Sequence, residues 1–270
     1  MFEFCFIYGG LVLLGPLLGW AESRARRDRG SLDAALDAER LAERIADRRQ
    51  DIVWWLISPL LTGTLTRGTT LGLWGLVLMA ADKTPQVGAT LIHGTRALPF
   101  LLQLIAALLV ADAVGYWSHR LRHLGLWRFH RIHHGPRALF ALSAARMHPI
   151  DELIDGVVIG FVLLLLGFDW RIFAFVGPIV LLYTLLSHAD LDLSFGHLRW
   201  LLVSPRFHRW HHARQFGPRG ANYAAMFSFF DLIFGTFYLP PYGPEALGTE
   251  PPVPRSLGGQ LLAPFQRARR

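Results

Sequence analysis

The apolar residues of the chain fall into long runs separated by short polar stretches, a pattern typical of a helical membrane protein. The first run, residues 4–20, has about the minimum length of a transmembrane helix. It lacks the basic start and the small-residue cleavage site of a signal peptide, so we expect a retained membrane helix. Four more apolar runs follow, at residues 52–81, 97–117, 153–168 and 172–186.

The segment at residues 22–51 is polar and carries eight arginines. A thin apolar stripe at helical spacing predicts an amphipathic helix lying on the membrane surface. Because arginine-rich loops are retained in the cytoplasm, this segment is expected on the cytoplasmic side. The stripe consists of Leu32, Ala35, Leu36, Leu41 and Ile45.

The run at 52–81 is interrupted by Pro59 and by the polar stretch 62–70, so it could cross the membrane once or twice. A single crossing places His119, at the end of the next run, on the same side as the arginine-rich segment. It also agrees with the arginines that surround His119, and we therefore favour one crossing.

The last two runs, 153–168 and 172–186, have about 15 residues each and are separated only by a short polar stretch. This spacing predicts a helical hairpin that returns the chain to the side it left. His188, directly after the hairpin, is therefore expected beside the earlier histidines.

The predicted fold is an all-α integral membrane protein with about five membrane helices, the last two a short hairpin, and a cytoplasmic histidine-rich helical cap. Residues 1–96 would hold the N-terminal membrane helices and the basic amphipathic loop, and residues 97–239 the catalytic domain. Residues 240–270 form a proline-rich, basic tail that we expect to be a loosely packed terminus.

The composition agrees with this class of protein. Hydrophobic residues make up 52% of the 270 residues, charged residues only 17%, and the mean hydropathy is +0.33. The formal charge of +7 comes mainly from arginine, which marks cytoplasmic loops in such proteins, so we expect no nucleic-acid partner. The single cysteine, Cys5, excludes an internal disulfide and a cysteine-based metal site.

The chain has twelve histidines, and eleven of them fall between residues 119 and 212. Imidazole rings packed together lower one another's pKa, so a dense group indicates a shared ligand. One HxxxH pair and two HxxHH triplets place their rings on one face of a helical turn, which suits a metal ion. These eight residues are His119, His123, His130, His133, His134, His208, His211 and His212.

Two further histidines, His148 and His188, bring the candidate ligands to ten. This number is enough for two ions with about four or five nitrogen ligands each. His93 and His197 fall outside the pattern, and we interpret both as ordinary polar side chains.

Cysteine-free nitrogen sites suit zinc, iron or copper, and two neighbouring ions suit hydrolysis or oxygen activation. Carboxylates that could bridge two ions are few near the histidines, and a ferritin-type site built from Glu and ExxH is absent. The candidates are Asp112, Asp151, Glu152 and Asp190.

Asp112 lies within an apolar run, where a charged side chain is costly. It precedes His119 by seven residues and shares its helix face, so we favour a supporting role in which the carboxylate accepts the free N–H of a ligand histidine. The alternative is a polar residue that bonds to a neighbouring helix.

Three segments, DAVGYWSHRLRH, RFHRIHHGPRALFALSAARMHP and SPRFHRWHH, resemble the fatty acid hydroxylase / sterol desaturase superfamily of membrane oxygenases. The resemblance runs from about residue 108 to residue 238. Members often have Asn, Gly and Trp where this chain has Asp190, Ala224 and Phe230, and these departures remove no ligand. The matched residues besides the histidines are Asp112, Tyr116, Arg120, Arg146, Pro149, Pro205, Arg209, Asn222, Tyr223, Phe234, Gly235 and Thr236.

The resemblance implies a pair of iron ions that activates O2 with electrons from an external reductase or carrier, and that hydroxylates or desaturates a C–H bond of a lipid. The ten histidines would be the metal ligands, with Asp112, Asp151 and Asn222 in supporting positions. The enzyme would be a multi-pass membrane protein with its active site on the cytoplasmic face. Sterols, fatty acyl chains, ether lipids and carotenoids all fit as substrates.

Two other interpretations stay open at this point. A membrane zinc hydrolase would need a general base such as the Glu of HExxH, and arginine follows the first histidine of each motif instead. A metal-binding member of the family without activity is the second alternative, and the retained ligand set argues against it.

Overall fold

The computed structural model describes residue 22, residues 34–81, residue 95 and residues 98–266. The predicted membrane helix at residues 4–20 therefore lies outside the described residues. The described part is helical and contains no strand, only an isolated bridge between Ala213 and Leu247. The predicted all-α class is confirmed.

The first described helix, α1 (Ala34–Ser58), passes through a π-helical turn (Pro59–Gly63) into α2 (Thr64–Ala81). The sequence predicted an interruption at Pro59, but the helical segment continues through this residue. Proline lacks the N–H that would reach back to a carbonyl one turn earlier, and the wider π turn accommodates this loss. The Thr62 hydroxyl donates to the Ser58 carbonyl at 2.8 Å and satisfies that acceptor.

The centre of the molecule is a bundle of α3 (Phe100–Gly125), α5 (Pro149–Leu165) and α6 (Trp170–His188), with the single turn α4 (Trp127–His130) after α3. These helices carry apolar side chains on most positions, so they pack against one another and still leave apolar sides exposed. The core between them consists of Ala107, Ala111, Leu163, Phe168, Ile172 and Val176.

All four apolar runs that fall on described residues are helical, and two helices, Phe100–Gly125 and Arg171–His188, are long and apolar enough to cross a membrane. Large apolar side chains on α2 and α3 are exposed, for example Leu71 at 65% and Leu101 at 64%. Lipid-facing helices have such surfaces. The count of five membrane helices and the cytoplasmic side of the cap stay predictions.

The hairpin of α5 and α6 turns within residues 166–169. Asp169 begins α6 by accepting a hydrogen bond from the backbone N–H of Arg171 at 2.9 Å, which satisfies a free donor at the helix start. The hairpin brings Nε2 of His188 to 3.3 Å from Nε2 of His133. The predicted hairpin, and the return of His188 to the other histidines, are confirmed.

Two glycines allow α2 and α5 to approach closely. A Cβ at Gly156 would lie 2.6 Å from Thr66 Cγ2, and one at Gly160 would lie 3.3 Å from Thr70 Cγ2. The two glycines are four residues apart, the spacing of close-packed membrane helices. This small-residue stripe joins the helical segment from α1 and α2 to the bundle.

The short elements between and after the bundle helices form the cap. It contains α4, α7 (Pro205–His211), α8 (Phe229–Ile233) and the 3₁₀ turns Ala141–Ala145 and Gly196–Trp200. A buried aromatic and aliphatic cluster fastens the cap to α3. Its members are Tyr116, Val203, Phe207, Tyr223 and Ala224.

A buried ion-pair group ties α1 to the cap. Arg146, which is 1% exposed, donates from Nε to the Asp51 carboxylate at 2.7 Å and from Nη1 to Asp47 at 3.1 Å. The Ser143 hydroxyl also donates to Asp51, at 2.6 Å. The Arg146 side chain therefore fixes the turn that leads to α5.

The C-terminal tail, as far as residue 266, is packed against α1 and the cap, contrary to the expectation of a loose terminus. Residues 257–262 form helix α9, and Gln260 accepts a hydrogen bond from the Trp54 indole N–H at 2.5 Å in a buried contact. Val253 lies directly over Gly135, where a Cβ would meet it at 2.2 Å. The proline-rich composition suggested looseness, but a few buried side chains and carbonyls hold the tail in place.

Asp51→Asn should destabilise the protein markedly, because it leaves the buried Arg146 guanidinium with one carboxylate fewer. Breaking a buried ion pair from one side costs about 3 kcal/mol or more. Thermal unfolding of the full chain in detergent measures the change. The control is Glu43→Gln, which removes the partly exposed Glu43–Arg137 pair and should cost less than about 1 kcal/mol. Equal losses in the two variants would contradict a structural role for Asp51.

Candidate metal centre

Nine of the ten predicted ligand histidines come together in two clusters. Within each cluster, one ring nitrogen of every histidine lies within 4.8 Å of the others, and no ring is more than 9% exposed. Cluster one contains His119, His123, His130, His134 and His211, and cluster two contains His133, His188, His208 and His212.

The two HxxHH triplets are shared between the clusters. In the first triplet, His130 and His134 belong to cluster one and His133 to cluster two; in the second, His208 and His212 belong to cluster two and His211 to cluster one. The outer histidines of each triplet are four residues apart and lie on one side of the turn, and the middle one points to the other cluster.

The shared triplets place the clusters side by side. The rings of His134 and His212, from different clusters, stack with centroids 4.5 Å apart. Those of His208 and His211, also from different clusters, are 5.2 Å apart. Two ions held by these rings would therefore be close neighbours.

Oxygen atoms fix the tautomers of four cluster histidines. In each, Nδ1 lies 2.7–2.8 Å from a carbonyl or carboxylate oxygen, which only accepts, so Nδ1 carries the proton and Nε2 keeps a free lone pair. The pairs are His119 with the Tyr223 carbonyl, His130 with Asp151, His188 with the Thr184 carbonyl and His211 with the Ala221 carbonyl.

The facing nitrogen atoms fit a shared cation. Nε2 of His119 and Nε2 of His130 are 2.9 Å apart, and neither carries a proton to donate, so their lone pairs repel unless a cation lies between them. In cluster two, Nε2 of His208 lies 3.0 Å from that of His188 and 3.1 Å from that of His212. Two imidazoles bound to one ion at about 2.1 Å would be separated by about 3.0–3.4 Å.

The cluster histidines of the cap are neutral at physiological pH. Burial lowers the pKa of His130, His133 and His134 well below 6.5, and nearby positive groups lower it further. Burial also lowers the pKa of His211 to about 3. Because a metal binds only unprotonated imidazole, the rings are already in the state that a ligand requires. The donor set therefore fits two divalent transition-metal ions.

Asp151, one of the predicted supporting residues, contacts a histidine of cluster one. Its carboxylate is fully buried, accepts the Nδ1–H of His130 at 2.7 Å and lies 3.4 Å from Nη1 of Arg122. The other Arg122 amino group pairs with Asp155 at 3.2 Å. Arg122 was not predicted, because nothing in HRLRH distinguishes it from the exposed arginines nearby.

Asn222 supports the site through the backbone and touches no histidine. Its φ of 60° and its side-chain bonds to the Phe207 and Tyr238 backbones shape the loop, so that the neighbouring carbonyls of Ala221 and Tyr223 face the histidines. The sequence did not reveal the role of these two carbonyl groups, because they belong to the backbone and do not depend on the type of side chain.

Asp112 does not contact a histidine, which corrects the favoured interpretation. Its oxygens accept hydrogen bonds from the backbone N–H groups of Ala225, Met226 and Phe227 at 2.6–3.2 Å. Seven residues correspond to about 10.5 Å along a helix, so Asp112 shares the face of His119 but lies too far away for a direct bond. It anchors the cap to α3 instead.

His148 is outside both clusters. Its Nδ1 accepts from the backbone N–H of Ile150 and its Nε2 lies 3.2 Å from the Leu261 carbonyl, so both ring nitrogens are already bonded. It caps α5 and contacts the tail.

The remaining candidates have other roles. His197 is exposed, as expected, and His93 lies outside the described residues. Of the possible bridging carboxylates, Glu152 accepts from Ser58, and Asp190 pairs with Arg44 and Arg209.

A cavity of about 490 Å³ lies between α3 and α5, on the side of α3 next to cluster one. Its volume is in the range of small-molecule pockets. Ser118 and Arg122 are the polar residues among those that line it, and each directly precedes a cluster-one histidine. The apolar lining consists of Ala113, Val114, Trp117, Leu121, Leu126, Ile154 and Val158.

His133→Ala and His134→Ala should affect different metal sites although the residues are adjacent. Cluster two has four histidines and would keep three after His133→Ala. The affinity of cluster two for its metal ion should fall by more than about 100-fold, because losing a residue that only supports a ligand already lowers metal affinity by about 10–100-fold. Cluster one has five histidines and would keep four after His134→Ala, so its affinity for a metal ion should fall by a smaller factor. Metal titration of the purified full chain measures both occupancies. Identical losses would contradict the division of the triplet.

Asp151→Asn should weaken metal binding at cluster one by about 10–100-fold, because an amide holds the His130 Nδ1–H less strongly than a carboxylate does. The matched control is Asp155→Asn, which also removes a partner of Arg122 but no bond to a histidine. Competition with a chelator measures the affinity. A larger effect from Asp155→Asn would show that the charge of Arg122, and not the orientation of His130, governs binding.

Comparison with known proteins places the clusters inside a recognised domain. Residues 104–236, which contain all nine cluster histidines, match the family model described as fatty acid hydroxylase. The ornithine lipid hydroxylase OlsE of Rhizobium tropici is 33% identical over 172 residues, 63% of this chain and 52% of that protein.

Two animal proteins are also similar to part of this chain. Methylsterol monooxygenase 1 of Gallus gallus is 31% identical over 149 residues, 50% of this chain and 46% of that protein. Alkylglycerol monooxygenase of Xenopus tropicalis is 30% identical over 132 residues, 45% of this chain and 27% of that protein. The chain thus spans about half the length, or less, of these curated relatives. No solved structure matches it.

Proposed function

The chain belongs to the fatty acid hydroxylase family through residues 104–236, and from this premise we propose that it is a membrane-bound oxygenase that hydroxylates or desaturates a C–H bond of a lipid. The observation that carries the proposal is the pair of adjacent all-histidine clusters. The names of the relatives support a lipid substrate, since they describe enzymes of an ornithine lipid, methylsterols and alkylglycerols.

We propose that each cluster holds one iron ion. A bound iron pair supplies the activation of O2 and the oxidation of the C–H bond, with electrons from an external reductase or carrier. The ligands would be the nine cluster histidines, without His148. Neutral imidazoles add no negative charge, so the two ions would keep a high positive charge and a strong attraction for electrons.

The protein's own groups then hold the geometry. The Asp151 carboxylate and the carbonyls of Thr184, Ala221 and Tyr223 each hold one Nδ1 proton, so that Nε2 points into the cluster. Burial excludes water from the rings, which protects a reactive site from side reactions. A lipid would reach it through the cavity between α3 and α5, without crossing water.

We propose that α3 and α6 cross the membrane and that the cap lies on the cytoplasmic side. The exposed leucines of α2 and α3 support contact with lipid tails, and Arg128, exposed on α4, agrees with the positive-inside rule. The oxidised carbon would lie near the membrane surface, where a soluble electron donor can reach the cap.

Cells that express the chain should contain a lipid altered by one added oxygen or by two fewer hydrogens, and only in the presence of O2. The purified full chain should hold about two iron ions. His211→Ala should abolish the product because it removes a ligand of cluster one, whereas the exposed His197→Ala should not. Comparative lipidomics and metal analysis measure these outcomes. Bound zinc together with hydrolysis of a lipid ester would contradict the proposal.

A further inference from the structure

Large apolar side chains are exposed on one part of the cap. They belong to the 3₁₀ turn Gly196–Trp200, to α8 and to the residue that follows each of these elements. The Ser228 hydroxyl donates to the Arg199 carbonyl at 2.7 Å, so the two elements are neighbours. Scattered exposed apolar residues are ordinary, whereas a group of them indicates a contact surface. We call this group the apolar cap surface; its members are 36–65% exposed and are Leu198, Trp200, Leu201, Leu232, Ile233 and Phe234.

The apolar cap surface reaches α3, one of the two helices that are long and apolar enough to cross a membrane. The ring of Phe234 lies 4.8 Å from that of Trp117, which is itself 45% exposed. Earlier along α3, apolar side chains such as Ile105, at 47%, are exposed as well. The surface of the cap therefore continues a surface that would contact lipid if α3 crosses the membrane.

The segment that leads into α8 is bonded to the interior of α3. The backbone N–H groups of residues 225–227 donate to the Asp112 carboxylate at 2.6–3.2 Å. Asp112 precedes His119 by seven residues, which corresponds to about 10.5 Å along the helix. The histidines lie at the C-terminal end of α3, so this cap segment lies further into the apolar part of the helix than they do.

The second candidate span, in α6, gives a similar depth. The Tyr183 hydroxyl donates to the Val203 carbonyl at 2.8 Å, and Tyr183 precedes His188 by five residues, about 7.5 Å along the helix. The Val203 N–H donates to the Met226 carbonyl at 2.9 Å, which joins this segment to the one beside α3. Leu201, two residues before Val203, is thus at a depth where lipid around α3 and α6 would surround it.

The tryptophans of this region are paired with charges that fit lipid headgroups. The Arg199 guanidinium lies 4.9 Å from the centre of the Trp200 ring, and that of Arg120 lies 5.5 Å from the Trp117 ring. Tryptophan is enriched where acyl chains meet headgroups, and arginine can cover apolar surface with its stem while its charge stays at the phosphates. Such pairs are typical of a surface that lies in a membrane interface.

We propose that the apolar cap surface is embedded in the adjacent leaflet of the membrane, with Arg120 and Arg199 at the level of the headgroups. The inference rests on the proposed crossing of α3 and α6 and goes beyond it, because the residues of this surface lie outside both helices. Surface elements of this kind enter the boundary between headgroups and acyl chains by about 5–10 Å. His119 follows Trp117 by two residues, so cluster one lies beside the headgroups and a lipid reaches it without leaving its leaflet.

The test measures the depth of single cysteines in the full chain, reconstituted in phosphatidylcholine vesicles. Cys5→Ser removes the one natural cysteine, and Leu198→Cys or Ile233→Cys then carries a small fluorophore. Ile105→Cys is the marker for lipid contact on α3. The matched control is Arg219→Cys, an exposed cap position in the turn beside His123. His123 follows Asp112 by eleven residues, so this control lies far from the embedded surface.

Lipids with bromine on their acyl chains should quench the labels at residues 198 and 233 about as strongly as the label at residue 105. This quenching should be about 3-fold or more stronger than at residue 219, because only embedded labels meet acyl chains. Iodide in the water should quench in the opposite order. The proposal would be overturned by cap labels that iodide quenches as strongly as it quenches the label at residue 219. Cap labels shielded from lipid and iodide alike would also overturn it, because another protein segment or a second copy would then cover the surface.

A fluorophore can disturb the cap, so a second measurement uses the chain without substitutions. Vesicles that contain a lipid with a photoreactive acyl chain should label peptides with residues 198–201 and 232–234, and not the peptide with residues 215–219. Labelling of neither of the first two peptides would overturn the proposal.

The proposed function can fail separately from the embedded surface. If lipid quenches the label at residue 105 but not the cap labels, the crossing of α3 stands and only the embedded surface is overturned. If the cap labels are quenched by lipid in a chain that binds zinc and hydrolyses a lipid ester, the surface stands and only the proposed oxygenase is overturned.

Discussion

Nine neutral imidazoles cannot be packed with their lone pairs facing one another unless something attracts all of those lone pairs at once. At His119 and His130 the two Nε2 atoms are 2.9 Å apart, and Asp151 and a carbonyl already hold both Nδ1 protons. No rearrangement of protons relieves this contact while those bonds remain. If these rings hold the metal ions that we propose, metal binding and the folding of the cap are coupled, because the ions would stabilise only the conformation that brings these rings together.

The cap is built to hold the oxygen atoms that orient the rings. The carbonyls of Ala221 and Tyr223 belong to a loop that Asn222, Asp231 and Asp112 fix through the backbone. Asp231 accepts from the N–H groups of Tyr223 and Ala224 at 2.7 and 2.9 Å, and burial raises its pKa to about 6. The loop has no regular secondary structure, so its backbone N–H groups lack the carbonyl partners that a helix or a sheet would provide. The buried carboxylates of Asp112 and Asp231 accept hydrogen bonds from several of these N–H groups instead.

The sequence was sufficient to predict the helices, the hairpin and nine histidines that come together in clusters, because these follow from apolar periodicity and from side-chain types at fixed spacing. It was not sufficient to divide each HxxHH triplet between two clusters, since that division depends on how α4 and α7 face each other. Asp112 was placed on the correct helix face, but its partners are backbone groups 113–115 residues away. The predicted interruption at Pro59 and the predicted loose packing of the tail were both wrong. Composition describes the local preference of a segment, whereas a few buried contacts decide whether that segment is ordered.

The division of the triplets also couples the positions of the two clusters. Each triplet contributes to both clusters, so a shift of α4 or α7 would move histidines of both clusters together and could not open one cluster alone. The turn after α4 is held by the tail and α1, and α7 is held through Asn222 and the Ser204 cap. The arrangement of either cluster therefore depends on contacts made by segments that supply no cluster histidine.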